Sequence, residues 1–375
     1  MDELPETILQ FGSGRFLRGF ADLFIHHGNS AGQAIGRVVV LQSTGTGRAE
    51  GLNDSHGKYP VLVRGFADGK IIDSVERCGS ISRALTVGCH WAELLDVARS
   101  PHLHTILSNT TEAGYACGEA ENPLEGVPSS FPGKLFAVLR ARWMAGLPGV
   151  TVIPCELIEG NAAILREIVC KLAVHWDVAC EGYLREDCVW LHTLVDRIVT
   201  MPPKDHAVSE HPMAVAAEPF SFWALEDHPR SQFKLDHPAI TRTTDVLPYF
   251  LRKVRILNAA HTALVIKAVP QGYQFVREAM ADPGLECWLR DLLDSEVVPT
   301  IADRVEGATL FAKQTIERFK NPFADHKFAD IALHHAEKIR VRLIPTALEY
   351  RTKFGAPAPL LSKLLDEAGV DVPRQ

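Results

Sequence analysis

Apolar and polar positions along the first 200 residues switch between two periods. "TILQF" and "RVVVLQS" are short apolar runs of the kind that form strands, and the β-branched second run predicts a strand buried on both faces. "RFLRGFADLFIHHG" places apolar residues every three or four positions, which predicts a helix. "YPVLVRGFADGKIIDSVER" predicts a hairpin turning at Asp68-Gly69. "HWAELLDVAR" predicts a helix, "LHTILSNT" a strand, and "FPGKLFAVLRARWMAG" a helix with Pro132 near its first turn. "GVTVIPCEL" predicts a strand, "NAAILREIVCKLAVHW" a helix capped by Asn161, and "VWLHTLVDRIVT" a further strand. Strands alternating with helices predict an α/β Rossmann-type domain with a mainly parallel sheet.

Beyond "MPPKDH" the period changes. "EPFSFWALED" suits one short strand. The rest reads as helices, from "VLPYFLRKVRILNAAHTALVIKAV" through "HKFADIALHHAEKIRVRLIPTALEYRTKF" to "PLLSKLLDEAG". The pattern therefore predicts an all-helical C-terminal domain. Its seam is placed near Pro202-Pro203, giving domains over 1–203 and 204–375.

Composition narrows the function classes. A chain of 375 residues is long for one core, which agrees with two domains. The formal net charge is -7, and no basic stretch tracks a phosphate backbone, so nucleic acid is not an expected partner. No apolar run reaches membrane-spanning length, and the acidic start "MDELPETILQ" lacks signal-peptide character. A cytoplasmic protein with no membrane partner is expected, as a monomer or small homo-oligomer. The eight cysteines form no CxxC pair, and the histidine pairs at 26–27 and 334–335 lack HExxH spacing. No metal is expected.

Two places carry chemistry. In "QFGSGRFLRGF", Gly12 and Gly14 suit a turn that bends tightly and lets backbone approach a pyrophosphate. The third glycine of that motif is displaced, since position 17 is Leu17 and the next glycine is Gly19. Arg15 and Arg18 could assist an anion there or simply face solvent. Alone, the turn suits a dinucleotide, another nucleotide-like cofactor, or an ordinary connection. The second strand ends in Gln42-Ser43-Thr44 without an acid for a ribose. Far along the chain, "LRKVRILNAAHTALV" holds Lys253, Asn258 and His261 in one predicted helix. At about 100° per residue, Asn258 lies about 140° from Lys253 and His261 about 80°. The bland alternative is a solvated lysine beside a helix-packing Asn–His pair. The chemical alternative is hydride transfer at a secondary alcohol, which needs a proton carrier, amides to steady the oxygen, and a group to fix a hydroxyl.

Taken in order, "QFGSGRFLRGF", "SNTTEAGY", "SFPGKL", "CELIEGN", "TLVDRIV", "EPFSFW", "KVRILNAAHTA" and "RFKNPF" resemble the polyol-specific long-chain dehydrogenases, the mannitol dehydrogenase family. The resemblance spans nearly the whole chain and is strongest to the tagaturonate reductase (altronate oxidoreductase) branch. It implies NAD(H)-dependent, metal-independent interconversion of a hexuronate ketose and its aldonate, within hexuronate catabolism. It also implies an active site between a Rossmann-type domain and a helical domain.

Carried over, Lys253 matches the family's general acid/base, Asn161 and Asn258 the amides on the reacting oxygen, and His261 a hydroxyl-binding histidine. Gly12 and Gly14 match the pyrophosphate turn, with Gln42 and Ser43 placed at the adenosine ribose and Ser108 and Asn109 near the nicotinamide half. NAD is a family inference, and NADP stays open. A substrate carboxylate needs a cation, for which Arg318, Lys338, Arg340 and Arg342 are candidates. His192 and Ala259 stand where the family pattern leads one to expect Asn and Gly. The alternatives are a mannitol-like polyol or another sugar acid as substrate, and a catalytically inactive nucleotide-binding regulatory protein. A methyltransferase on the same glycine turn leaves Lys253 unexplained.

Overall fold

The computed structural model describes residues 3–67, 69–118 and 121–371, so Asp68 of the expected hairpin turn lies outside the described residues. In chain order the strands are β1 (Glu6–Phe11), β2 (Arg37–Gln42), β3 (Tyr59–Ala67), β4 (Lys70–Cys78), β5 (Ile81–Thr86), β6 (Thr105–Ser108) and β7 (Thr151–Pro154). They continue as β8 (Val189–Trp190), β9 (Thr193–Asp196), β10 (Val199–Thr200), β11 (Val215–Ala217), β12 (Phe222–Glu226) and β13 (Ile240–Thr243). Six of them form one sheet in the order β5-β2-β1-β6-β7-β8. Its pairings are all parallel. This is the Rossmann order, and it reverses direction between β1 and β6, which opens a crevice beyond their carboxyl ends.

The apolar runs explain the sheet. Leu9, Phe11, Val39 and Leu41 share one face and pack with Leu94, Leu135, Leu139 and Val169 from helices Trp91–Ala98, Phe131–Met144 and Asn161–Trp176. On the other face, Gln10 reaches Asp22 of helix Ala21–Ser30. Being covered on both sides, the strands need continuous rather than alternating hydrophobicity.

Several expectations change in detail. The helix expected over "RFLRGFADLFIHHG" is broken into Arg15–Arg18 and Ala21–Ser30. At the break, a Cβ on Gly19 would lie 2.8 Å from a Val199 methyl, so only glycine admits this approach. The single strand expected over "VWLHTLVDRIVT" is three: β8 joins the large sheet, β9 pairs with β12, and β10 pairs with β11. Two smaller sheets result, β10-β11-β3-β4 and β13-β12-β9.

Those sheets also move the seam. The chain divides into Met1–Val63 with Asp73–Val246, and Arg64–Ile72 with Leu247–Gln375. The boundary falls at Val246 instead of Pro203 because β11 completes a ladder on β3, and β12 and β13 complete one on β9.

The second unit is built on helices. The hairpin tip groups with it: Asn321 Nδ2 donates to the Arg64 carbonyl at 3.1 Å, and the Arg64 guanidinium lies 4.4 Å over Phe323. Its first helical run comprises Leu247–Arg252, a π-helical turn Lys253–Asn258, and Ala259–Ala268. The helix expected from His326 onward is interrupted at His334, whose φ is 56°, and resumes as His335–Arg342 and Ile344–Phe354. Among the described residues, no helix is long and apolar enough to cross a membrane.

Candidate active site

In the sheet unit, β1 runs straight into the glycine turn. Gly12 has φ of 118°, and its N–H donates to the Leu41 carbonyl at 3.1 Å. A Cβ at this position would stand 2.9 Å from the Asn109 carbonyl oxygen, so the turn lies against the end of β6. A Cβ on Gly14 would meet nothing within 4 Å. The turn is braced from below: Gln10 Nε2 donates to the Gly12 carbonyl at 3.0 Å, and Arg18 Nη1 to the Ser13 carbonyl at 2.8 Å. Arg18 is therefore buried structure, neither a solvated charge nor a cleft residue.

Above the turn is a cleft of about 680 Å³, lined by Gly12, Ser13, Gly14, Arg15, Ser43, Thr44, Arg48, Asn109, Thr110, Thr111 and Lys134, among others. Among the described residues, none that lines it is acidic. Bare backbone at Gly12 and Gly14 with three cations around it suits a pyrophosphate. Thr111 has φ of 78° and ψ of 165°, a region almost reserved for glycine, so a strained backbone faces the cleft.

Three sequence candidates have other duties. Gln42 lines the cleft, but its carboxamide is engaged: Oε1 accepts from Ala49 N at 2.6 Å, and Nε2 donates to the Thr44 carbonyl at 2.7 Å. It shapes the loop after β2. Ser108 is buried and donates to Glu156 Oε2 at 3.0 Å, leaving Asn109 as the cleft residue at the end of β6. Asn161 is the clearest correction. Its Nδ2 donates to the carbonyls of Pro154, Glu156 and Thr193 at 3.1, 3.2 and 3.1 Å, and its Oδ1 accepts from Ala162 N. A carboxamide so committed ties β7 to β9 and has no N–H left for a substrate oxygen. Nor is it the helix cap, which is Gly160.

Glu156 escaped sequence reasoning. It is buried and accepts from Ser108 Oγ, Thr110 N, Thr110 Oγ1 and Tyr115 OH, at 3.0, 2.8, 3.1 and 3.3 Å. Burial pushes its carboxyl above the usual range against those hydrogen bonds. It anchors the start of the Thr110–Thr111 segment that lines the cleft. Arg48 and Lys134 were also missed, because no spacing rule ties them to the glycine turn.

In the helical unit, the π-helical turn decides the geometry. Hydrogen bonds from i to i+5 make a wider turn, so Lys253 and Asn258 lie nearer one face than the roughly 140° of a regular helix would place them. Asn258 and His261 are buried, and Asn258 Nδ2 and His261 Nε2 have no hydrogen-bond partner. Buried polar atoms are seldom left so. The His261 ring stacks on Phe319 at 4.1 Å and meets His326 edge-on at 4.7 Å. Burial, then the charges of His326, Arg318, Arg342 and Lys253, hold His261 well below the usual histidine range. It is a neutral imidazole at pH 7.

The carboxylate candidates separate. Arg318 is buried beside His261. Arg342 lies on the same cluster, 3.3 Å from Thr262 Oγ1. Lys338 is half-buried, donates to the Ile331 carbonyl at 2.8 Å, and its charge reaches His326 and His335. Arg340 is instead exposed and paired with Glu337 at 2.6 Å. Two residues along a helix turn a side chain to the far face, so Arg340 cannot serve where Arg342 does. His335, from the pair without HExxH spacing, is half-buried, feels Lys338 and Arg342, and has an unpartnered Nδ1.

Residues 6–241 match the model of the mannitol dehydrogenase Rossmann domain, and residues 245–364 that of the mannitol dehydrogenase C-terminal domain. The chain belongs to the mannitol dehydrogenase family. As a member it is an oxidoreductase, and the family's own division falls beside the structural seam at Val246. Altronate oxidoreductase from Halalkalibacterium halodurans is 38% identical over 96% of this chain and 74% of its own length. The Bacillus subtilis altronate oxidoreductase is 35% identical over 94% of this chain and 77% of its own. In fold, the chain is similar to Pseudomonas fluorescens mannitol 2-dehydrogenase solved with NAD and D-mannitol, with a TM-score of 0.84 at 22% identity, covering 97% of this chain and 78% of that one. A D-sorbitol dehydrogenase gives a TM-score of 0.85 at 22% identity, covering 98% and 80%.

Proposed function

We propose that this member of the mannitol dehydrogenase family interconverts a ketose sugar acid and its aldonate, of the tagaturonate and altronate kind. The observation that carries this reading is the cluster in the helical unit: two unpartnered buried polar atoms, Asn258 Nδ2 and His261 Nε2, gathered with the cations of Lys253, Arg318 and Arg342. Such cations form charge-assisted hydrogen bonds with a carboxylate, stronger than those they can give the hydroxyls of a neutral polyol. The altronate oxidoreductases are relatives at 35–38% identity, which supports the same substrate class.

Gly12, Gly14, Arg15 and the residues around them would hold the dinucleotide, NAD(H) in the family reading. When bound, the nicotinamide supplies the hydride that the ketone carbon gains in reduction. Lys253 delivers the proton that the same oxygen needs, and takes one back in oxidation. Asn258 donates its unpartnered amide N–H to that oxygen as negative charge grows on it. Neutral His261 uses its unpartnered nitrogen to fix a neighbouring hydroxyl. Arg318 and Arg342, with Lys338 beside them, hold the carboxylate at the far end. Asn161 acts one step back, by positioning β7.

The reading is tested with a panel of aldonates and neutral polyols, followed by nicotinamide absorbance. Altronate should be turned over and mannitol should not; mannitol without altronate overturns the substrate class. Lys253→Ala should lower kcat by about 10²–10⁴, with NADH binding retained. Near-normal turnover in that variant would remove Lys253 from the mechanism. Binding without turnover by the unaltered chain would favour the inactive regulatory alternative.

A further inference from the structure

The carboxyl end of β2, where a Rossmann domain meets the adenosine ribose, is chemically unlike an NAD-selective site. Such sites place an acid there to bond the ribose 2′-hydroxyl, and that acid repels a 2′-phosphate. Here Gln42 ends the strand with its amide turned into the loop, and the exposed Ser43 and Thr44 follow it at the cleft. Arg48, the second residue of the following helix Gly47–Asp54 and four positions beyond Thr44, lines the same cleft. Its Nε donates to Ser13 Oγ at 3.0 Å, which ties the guanidinium to the glycine turn. The terminal amino groups of the fork keep their remaining donors for the cleft. Among the described residues, no carboxylate lines the cleft to oppose them.

We infer that Arg48, Ser43 and Thr44 form a subsite for a phosphate monoester, so that the chain takes NADP(H) at least as well as NAD(H). A dianionic phosphate requires what is gathered here: one anchored planar cation and two hydroxyl donors. The contrast with an acid-ended β2 lies in the side chains of one short loop, which accounts for its absence from the glycine-turn pattern.

This inference rests on the dinucleotide reading of the cleft, and direct binding separates the two. NADH and NADPH are titrated onto the full chain by fluorescence, with 2′,5′-ADP and 5′-ADP as competitors. NADPH should bind as tightly as NADH or more tightly, and 2′,5′-ADP should compete better than 5′-ADP by about tenfold or more. NADH binding with NADPH weaker by more than about threefold overturns the phosphate subsite and leaves the dinucleotide site standing. Failure of both nucleotides to bind overturns both. In Arg48→Ala the ratio of NADPH to NADH affinity should fall by about tenfold or more, and Arg48→Lys should recover part of it. Thr44→Asp should move the ratio in the same direction as Arg48→Ala. A ratio unmoved in both Arg48→Ala and Thr44→Asp would sink the assignment.

Discussion

Gly12 and Gly14 stand two residues apart and do different work, which a pair of alanine substitutions would expose. At Gly12 the backbone is left-handed, with φ of 118°, and the Asn109 carbonyl sits 2.9 Å from where a Cβ would be. Gly12→Ala should cost about 1–3 kcal/mol of stability, the scale of a strained backbone position, and should lower the unfolding midpoint. At Gly14, φ is -66° and nothing lies within 4 Å of a new Cβ. Gly14→Ala should leave stability within about 0.5 kcal/mol and weaken NADH binding, because the added methyl occupies the cleft. Equal loss of stability in both would contradict this division. The two glycines were legible in the sequence because their spacing reflects a backbone requirement. Asn161 was not, because its role depends on three carbonyls from Pro154, Glu156 and Thr193 that meet only in the folded sheet. Arg48 was equally hidden, as its contact with Ser13 Oγ joins positions 35 apart that no motif spacing relates. Arg340 could have been set aside from sequence, since it lies two helical positions from Arg342.

At the scale of elements, the short helix Arg15–Arg18 and the start of Ala21–Ser30 bury a carboxyl beneath the glycine turn. Asp22 accepts from Gln10 Nε2 at 3.3 Å, and the same amide holds the Gly12 carbonyl. Burial pushes the Asp22 carboxyl up to about 7, against the pull of Gln10 and Arg18. In the unfolded chain it would titrate at about 3.9. Between those values the folded protein holds a proton that the unfolded chain has released. The stabilisation from Asp22 is thus full at low pH, shrinks as pH rises through that window, and levels off above about 7. Asp22→Asn keeps the shape and removes the titration. Urea unfolding should show the stability difference, original minus variant, falling from pH 5 to pH 8; parallel profiles would refute this account. The π-helical turn at Lys253–Asn258 is the element that sequence periodicity misplaced. A regular period separates Lys253 from Asn258, and nothing in the apolar spacing announces the extra residue in the turn. Likewise, period-2 patterning recognised the strand character of 189–200 but could not assign its three pieces to three sheets.

Over the whole chain, alternation of strand and helix was enough to foresee a Rossmann domain followed by helices, yet the seam was placed early. Segment 204–246 contributes strands that pair back across the expected seam, β12 with β9 and β11 with the distant β3, and such pairing leaves no local mark. The distribution of charge has a consequence for the whole molecule too. The formal net charge is -7, while the sheet unit's cleft carries Arg15, Arg48 and Lys134, and the helical unit gathers Lys253, Arg318, Lys338 and Arg342. On the proposed function, these cations would raise the potential that an anionic ligand meets in each unit. Such fields raise encounter rates with charged ligands and are screened by salt. Between about 0.01 and 0.15 M ionic strength the screening length shortens from about 30 to about 8 Å. Over that range kcat/KM for an aldonate should fall severalfold, and any residual kcat/KM for a neutral polyol should stay within about twofold. Arg318→Gln and Arg342→Gln should each raise KM for the aldonate and flatten its salt dependence, with little effect on the polyol. An aldonate profile independent of salt, or arginine variants that slow both substrates alike, would show that the cluster does not read the carboxylate.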